Sequence, residues 1–504
     1  MHGQPIRART RLRLQLTAGM AAIAMLLPVP VRSQPMGIPS IGAASGAELS
    51  PALESLLGDA LMEQGRRDPT YIDAPEVNQY LTEMGRKLAA NVPAGQGQRI
   101  TVFAIRDPQI NAFALPGGYV GVHSGLIASS ESESELASVL AHEIAHVLQR
   151  HIARGMTQSS QSNAVMIAAM VGALLAGLAG SGDLAMGVAA FGQAAAVDRQ
   201  LGFSRSAEQE ADRLGFEMMR NSGYDPRGMV RMFSRMMNAS RLNESPVGGA
   251  YHSTHPQSGD RISDIENRLQ NLPAARQSDS DAFWYVRALL RVMQARDGQA
   301  QRQLVDTLNY ETGRTEGVQR SAGWYGLAYA AWQRKDLAQA NEALEKAREG
   351  AGRNSPQVAR LSVMLALAGE EYGQALSLAR AAADRWPDDQ ALALAMVETL
   401  QKSNKDEQAV EALGGYIKRW PDIARLHQLQ AQSHERLGRQ VQARQAMARY
   451  YEMVGALPSA VEQLRQARNL SQDFYVQSEL DVRIRALRER LDSQRALLER
   501  FKTS

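Results

Sequence analysis

Apolar positions recur at helical spacing over most of this chain, and at strand spacing over only one short stretch. Leu136, Leu140, Ile144, Val147 and Leu148 recur every three or four residues and predict a helix from Leu136 to Arg154. Ser130 is placed to cap it, with Glu133 three residues on. Gly155 is placed to end it. Leu53 to Arg67 and Glu76 to Ala90 predict two amphipathic helices ahead of it, and Arg99 to Arg106 a strand. Asn111 to Gly125 reads as a hairpin, with Pro116-Gly117-Gly118 at the turn and Tyr119, Val120 and Val122 in the second strand. His123 alternates with those apolar residues and is expected on the strand surface, not as a ligand.

Two further patterns lie downstream. Ala164 to Gly180 is uncharged and apolar, Asp183 breaks it, and Leu184 to Val197 continues in the same style. Neither arm reaches the roughly 20 residues that span a bilayer. A helical hairpin inserted over residues 157–203 is expected. It would serve as buried scaffold, as a cover over a site, or as a patch (164–197) touching a membrane or partner. After residue 280 a period near 34 residues sets in. Ala340, Ala375, Ala409 and Ala443 hold one small-residue position, with Leu344, Ala379, Leu413 and Met447 four residues further on. This resembles the tetratricopeptide repeat, a helix pair with small residues at the crossing, whose arrays present a concave face to protein partners. Leu480, Ile484, Leu487, Leu491, Leu498 and Phe501 predict a terminal amphipathic helix.

The N-terminus changes the charge picture. Arg7, Arg9, Arg11 and Arg13 precede an apolar stretch from Leu14 to Val31, and Val31-Arg32-Ser33 suits signal-peptide cleavage near Gln34. An uncleaved membrane anchor is the alternative. Residues 1–33 hold five arginines and no acid, so the formal charge of +3 becomes −2 after cleavage. The basic balance therefore gives no case for nucleic-acid binding. An exported compartment, most simply a bacterial periplasm, is expected. With no cysteine in 504 residues, disulfides, thiolate zinc ligands and a cysteine nucleophile are excluded.

The candidate chemistry sits on the first helix described. His142 and His146 are four apart and share a face, where two imidazoles can grip one Zn²⁺. Glu143 can serve a zinc site as general base. Glu208 and Asp212 are also four apart, on a helix opened by Ser204 or Ser206. One carboxylate suits the zinc and the other the outer nitrogen of a ligating histidine. A solvated acidic face shared with Glu210 is the plainer alternative. Further on, Tyr251-His252-Ser253-Thr254-His255-Pro256 precedes Arg261.

His142-Glu143-x-x-His146, Glu208-x-Glu-Ala-Asp212 and the Asn111-Ala-Phe-Ala-Leu-Pro-Gly-Gly118 hairpin together resemble the HtpX and CAAX-prenyl-protease type of zinc metallopeptidase. The signal sequence and the repeats point to its soluble periplasmic, BepA-like branch. The resemblance covers roughly residues 50–270. It implies an α+β zincin-type domain, mostly helical with a small sheet, followed by an all-α repeat solenoid. It implies His142, His146 and Glu208 as ligands of one zinc, Glu143 as catalytic base and Asp212 as support for a ligand. His255 is expected as a displaceable fourth ligand, as a hydrogen-bond donor to the tetrahedral intermediate, or as a structural loop residue. Arg261 is expected to bind substrate backbone or to pair with an acid such as Asp212. Substrate is expected to lie extended along Gly118, Tyr119 and Val120 of an edge strand.

The organisation that follows is a signal peptide (1–33), a leader (34–50), a peptidase domain (51–275), repeats (278–470) and a terminal helix (471–504). The function implied is a periplasmic zinc endopeptidase in quality control of outer-membrane β-barrel proteins, reaching its partners through the repeats. A chaperone or scaffold with a largely closed zinc site is the competing reading.

Overall fold

The computed structural model describes residues 50–158, 203–241, 251, 255, 259–270, 272–273 and 279–502. The expected signal peptide, nearly all of the leader and nearly all of the 157–203 insertion lie outside them. Glu48–Ser504 cluster as one compact unit.

The first helix, Pro51–Gly65, starts where the Ser50 hydroxyl accepts from the Leu53 N–H and Pro51 supplies a preset φ. The second, Pro75–Ala90, buries Val77, Leu81, Met84 and Leu88 along one stripe. Three short strands follow: β1 (Thr101–Ile105), β2 (Ala112–Leu115) and β3 (Tyr119–His123). Their order is β1-β3-β2, with β1 parallel to β3 and β2 antiparallel to it. The expected hairpin is thus present, turning through Gly117 and Gly118, which have φ of 77° and 89°. A Cβ on Gly118 would sit 1.8 Å from the Arg99 carbonyl oxygen, so the turn needs glycine there.

The alternation of the strands sorts side chains to two faces. Val102, Ala104, Val120 and Val122 join a core with the second helix and the motif helix (Glu133–Leu148). Phe103, Ile105, Phe113 and Tyr119 pack with Leu53, Leu57 and Leu61 of the first helix. The motif helix is covered on all sides, and Glu133 through His146 are buried without a break.

Several expectations are corrected here. The motif helix is capped by Ser132, which accepts from the Glu135 N–H, because the Ser130 hydroxyl is spent on the Leu126 carbonyl. It ends at Leu148, and Gly155 falls inside a separate helix, His151–Gln158. Arg150 breaks the two apart with φ 54°. His123 is 2% exposed, edge-on to Phe113, and so is interior and not on the strand surface. Finally β3 is the central strand, not an edge. Its main-chain groups are taken by β1 and β2 on either side, so Gly118, Tyr119 and Val120 have no free ladder to offer a substrate.

Past the sheet come helices Arg205–Asn221, Arg227–Arg241 and Gly259–Leu269, then the pair Asp281–Gln294 and Gly298–Thr312. From Gly317 the chain runs in repeated helix pairs to the long Phe474–Lys502. Each pair crosses at a buried alanine: Ala340, Ala375, Ala409 and Ala443 are at most 2% exposed. The turn inside each pair uses a left-handed residue, at Lys335, Glu370, Asn404 and Gly438, spaced 35, 34 and 34. Repeat residues far apart in sequence touch the first two helices. Arg360 pairs with Glu76 at 2.6 Å, Gln79 donates to the Asp388 carbonyl at 3.1 Å, and Arg66 donates to the Met453 carbonyl at 3.0 Å. Among the described residues, no helix is long and apolar enough to cross a membrane.

Candidate metallopeptidase centre

The helical rise stacks His142 and His146 on the buried side of the motif helix, both fully buried. The helix Arg205–Asn221 brings the carboxylates. Ser204 caps it, accepting from the Ala207 N–H at 3.2 Å. Gly215 lets it lie close against the motif helix, because a Cβ there would already be 3.3 Å from the Ala141 and His142 backbone. Glu208 and Asp212 are 2% and 3% exposed, so they do not belong to a solvated acidic face, whereas Glu210 lies on the partly exposed side.

His142, His146, Glu208 and His255 each aim one ligand atom into a common space, all within 4.8 Å of one another. Nε2 of His142 is 3.0 Å from Nε2 of His146, 3.4 Å from Glu208 Oε2 and 3.3 Å from His255 Nδ1. His255 Nδ1 is 2.9 Å from Glu208 Oε1. Ligands of a tetrahedral zinc, with bonds of about 2.0–2.1 Å, stand roughly 3.3–3.4 Å apart. The donor set and its spacing therefore fit such an ion.

The surrounding charges hold these groups in place. Asp212 Oδ1 takes the outer nitrogen of His142 at 2.9 Å. Arg261, 5% exposed, grips Asp212 through Nε at 2.6 Å and Nη2 at 2.8 Å, and reaches Glu208 through Nη1 at 2.7 Å. Of the two expectations for Arg261, pairing with Asp212 is the one seen. Its guanidinium is committed to two buried acids. Glu143 accepts from the Tyr251 hydroxyl at 3.3 Å, and His255 Nε2 lies 3.4 Å from its Oε1. The other oxygen, Oε2, is buried with no hydrogen-bond partner.

Burial acts first on every charge here. It raises the Glu143 carboxyl above the ordinary range, with His255 and His142 only partly offsetting it. Burial opposes charge on His142 too, but Glu208 and Asp212 outweigh it and lift the imidazole to about 9. His146 goes well below its ordinary value because burial dominates. Ligating imidazole must be neutral, so a metal bound at His142 would have to displace a proton.

Three neighbours escaped the sequence reading. Phe203 stacks on His146 at 3.9 Å between centroids and on His255 at 5.5 Å. Tyr251 stacks on His255 at 4.7 Å. His151 meets the outer nitrogen of His146. No local periodicity links any of them to the motif.

This set of a His-Glu-x-x-His helix, a carboxylate from a second helix and the buried Glu143 carboxylate defines a metallopeptidase centre. Residues 75–269 match the family model described as Peptidase family M48. It is 28% identical over 468 residues, 92% of each chain, to the "Beta-barrel assembly-enhancing protease" of Escherichia coli (strain K12). It is 30% identical over 254 residues to the "Putative beta-barrel assembly-enhancing protease" of Vibrio cholerae, covering 49% of this chain and 50% of that one. It is 36% identical over 181 residues to the "Mitochondrial metalloendopeptidase OMA1" of Schizosaccharomyces pombe, covering 36% and 49%.

Proposed function

We propose that this chain is a zinc-dependent endopeptidase of the bacterial periplasm that acts in quality control of outer-membrane β-barrel assembly. The reading rests on the four-ligand cluster with Glu143 beside it. The basic, apolar N-terminal segment in the sequence supports export. The names of these relatives support the barrel substrates. His142, His146 and Glu208 would hold the zinc, which when bound supplies Lewis acidity. Asp212 would keep the His142 ring in place. Glu143, its carboxyl raised by burial, would take a proton from the attacking water and return it to the leaving amine. The repeats would engage protein partners.

An extended substrate would add to β2. His123 donates to the Asn111 carbonyl, so the alternate residues Ala112 and Ala114 turn their N–H and C=O groups away from β3. These are the ladder groups left for a peptide beside the motif helix.

The test is zinc content together with casein cleavage, in wild type, Glu143→Gln and Ala114→Pro. Glu143→Gln should keep its zinc and lose about 10²–10⁴ in rate. Ala114→Pro should keep zinc and raise KM. Wild type without zinc would sink the reading.

A second reading, a chaperone with a closed site, draws on one observation. His142, His146 and His255 are all 0% exposed, and His255 lies against both Glu208 and Glu143. As fourth ligand it would fill the place a substrate carbonyl needs. His255→Ala should then raise casein cleavage, and unchanged cleavage removes His255 from that role. Barrel assembly in cells that survives Glu143→Gln, but fails without residues 280–504, would favour the chaperone.

A further inference from the structure

The two ligand histidines are supported differently. His142 is held directly by a buried carboxylate, Asp212. Among the described residues, no carboxylate lies on the outer nitrogen of His146. Its Nδ1 lies 2.9 Å from Nδ1 of His151, with the rings edge-on at 4.8 Å. His151 is 3% exposed, and its other nitrogen, Nε2, lies 3.2 Å from Glu210 Oε2. The same oxygen takes Arg154 Nη1 at 3.0 Å, at the protein surface.

We propose that His151 is a positioning residue for the zinc ligand His146, carrying the support of Glu210 to it through one intervening imidazole. This rests on His146 being a ligand through Nε2, as proposed above. A ligating Nε2 must keep its lone pair, so the single proton of a neutral His146 sits on Nδ1. It is donated to His151 Nδ1, which then has to be an acceptor. The proton of His151 is left on Nε2 and points at the Glu210 carboxylate. That is the one set of tautomers that satisfies both contacts, and it fixes the His146 ring with its lone pair toward the metal.

The chain break beside the site serves the same contact. In an unbroken helix a residue five positions on lies about 140° round the axis. His151 could not then meet His146. The left-handed Arg150, at φ 54°, ends the motif helix and restarts the chain so that His151 turns back onto it. A non-glycine residue in that conformation is strained, because its Cβ crowds the following carbonyl oxygen. Arg150 is tied down by Glu54 at 3.2 Å, which helps to hold the turn.

The test is zinc affinity of the full chain, read by chelator competition without reference to cleavage. His151→Phe keeps the ring volume and removes the acceptor, and should weaken zinc by about 10–100-fold. His151→Asn places an acceptor near the position of Nδ1 and should restore affinity to within about threefold of wild type. Glu210→Gln, near the surface, should cost less than His151→Phe but more than about twofold. Affinity in His151→Phe within threefold of wild type overturns the proposal. So does His151→Asn as weak as His151→Phe, which would mean that packing alone is at work. If His151→Phe fails to fold, Glu210→Gln decides, because unchanged affinity there breaks the link. Wild type that binds no zinc removes His146 as a ligand, and this proposal with it. Wild type that binds zinc with indifferent variants overturns this proposal alone.

Discussion

The metal centre and the repeat helices are both buried, yet they are built from opposite materials. Around His142 the interior holds imidazoles, carboxylates and the Arg261 guanidinium, all 5% exposed or less. At the repeat crossings it holds Ala340, Ala375, Ala409 and Ala443, with leucines between. Apolar burial stabilises a fold at little risk, at roughly 25 cal/mol per Å². Buried charge is unfavourable unless every group finds a partner. The repeats spend their burial on architecture. The centre gives up that safety for a set of poised groups, and its integrity then hangs on a few hydrogen bonds.

The largest effect expected from this contrast is at Asp212. Asp212→Ala removes the two-pronged partner of Arg261 and the support of His142 together. It should destabilise the chain by about 3–5 kcal/mol and weaken zinc by about 10–100-fold. Denaturant midpoints and chelator competition measure the two. Loss of zinc affinity without loss of stability would show that the charges are less interlocked than described. Next is Ala409→Leu, at a crossing with 0% exposure. Overpacking should destabilise by about 1–3 kcal/mol and leave zinc affinity as in wild type. A change in zinc affinity there would break the separation between the two regions.

The smallest effect probes a buried charge within the repeats. Asp406 is 7% exposed and is held by Arg436 at 2.7 Å and by the Ser433 hydroxyl at 2.8 Å. Burial works against its charge, but those partners outweigh it and keep the carboxyl below its ordinary range. A depressed carboxyl adds stability above its unfolded pKa and loses it as pH falls through the folded one. Wild type should exceed Asp406→Asn by about 1–2 kcal/mol at pH 7. The difference should shrink as pH drops below about 3.9. Thermal melts at pH 7 and pH 3 check the sign, and a difference that grows in acid would reverse the assignment.

The two regions also differ in how far they can be read from sequence. The repeats repeat their own solution, so the period in alanine and leucine already marks helices, crossings and turns. In the centre, His142 with His146 and Glu208 with Asp212 are legible because a helix brings residues four apart onto one face. The sheet is less legible. A hairpin is local and visible, but the parallel pairing of β1 with β3 is not, and that pairing moves the open edge from β3 to β2. The Ser130 cap falls two residues early, since Ser130 and Ser132 are equally good caps until the Leu126 carbonyl claims one.

By itself, then, the sequence determined the helices, the repeat period and the pairs of chemistry-bearing residues, all of which follow from spacings of a few residues. Only the tertiary structure decided that Arg261 serves two buried acids, which strand lies open, and that His151 turns back onto His146. Those contacts join residues brought together by packing or by a single left-handed turn. Hydrophobic periodicity carries no information about either.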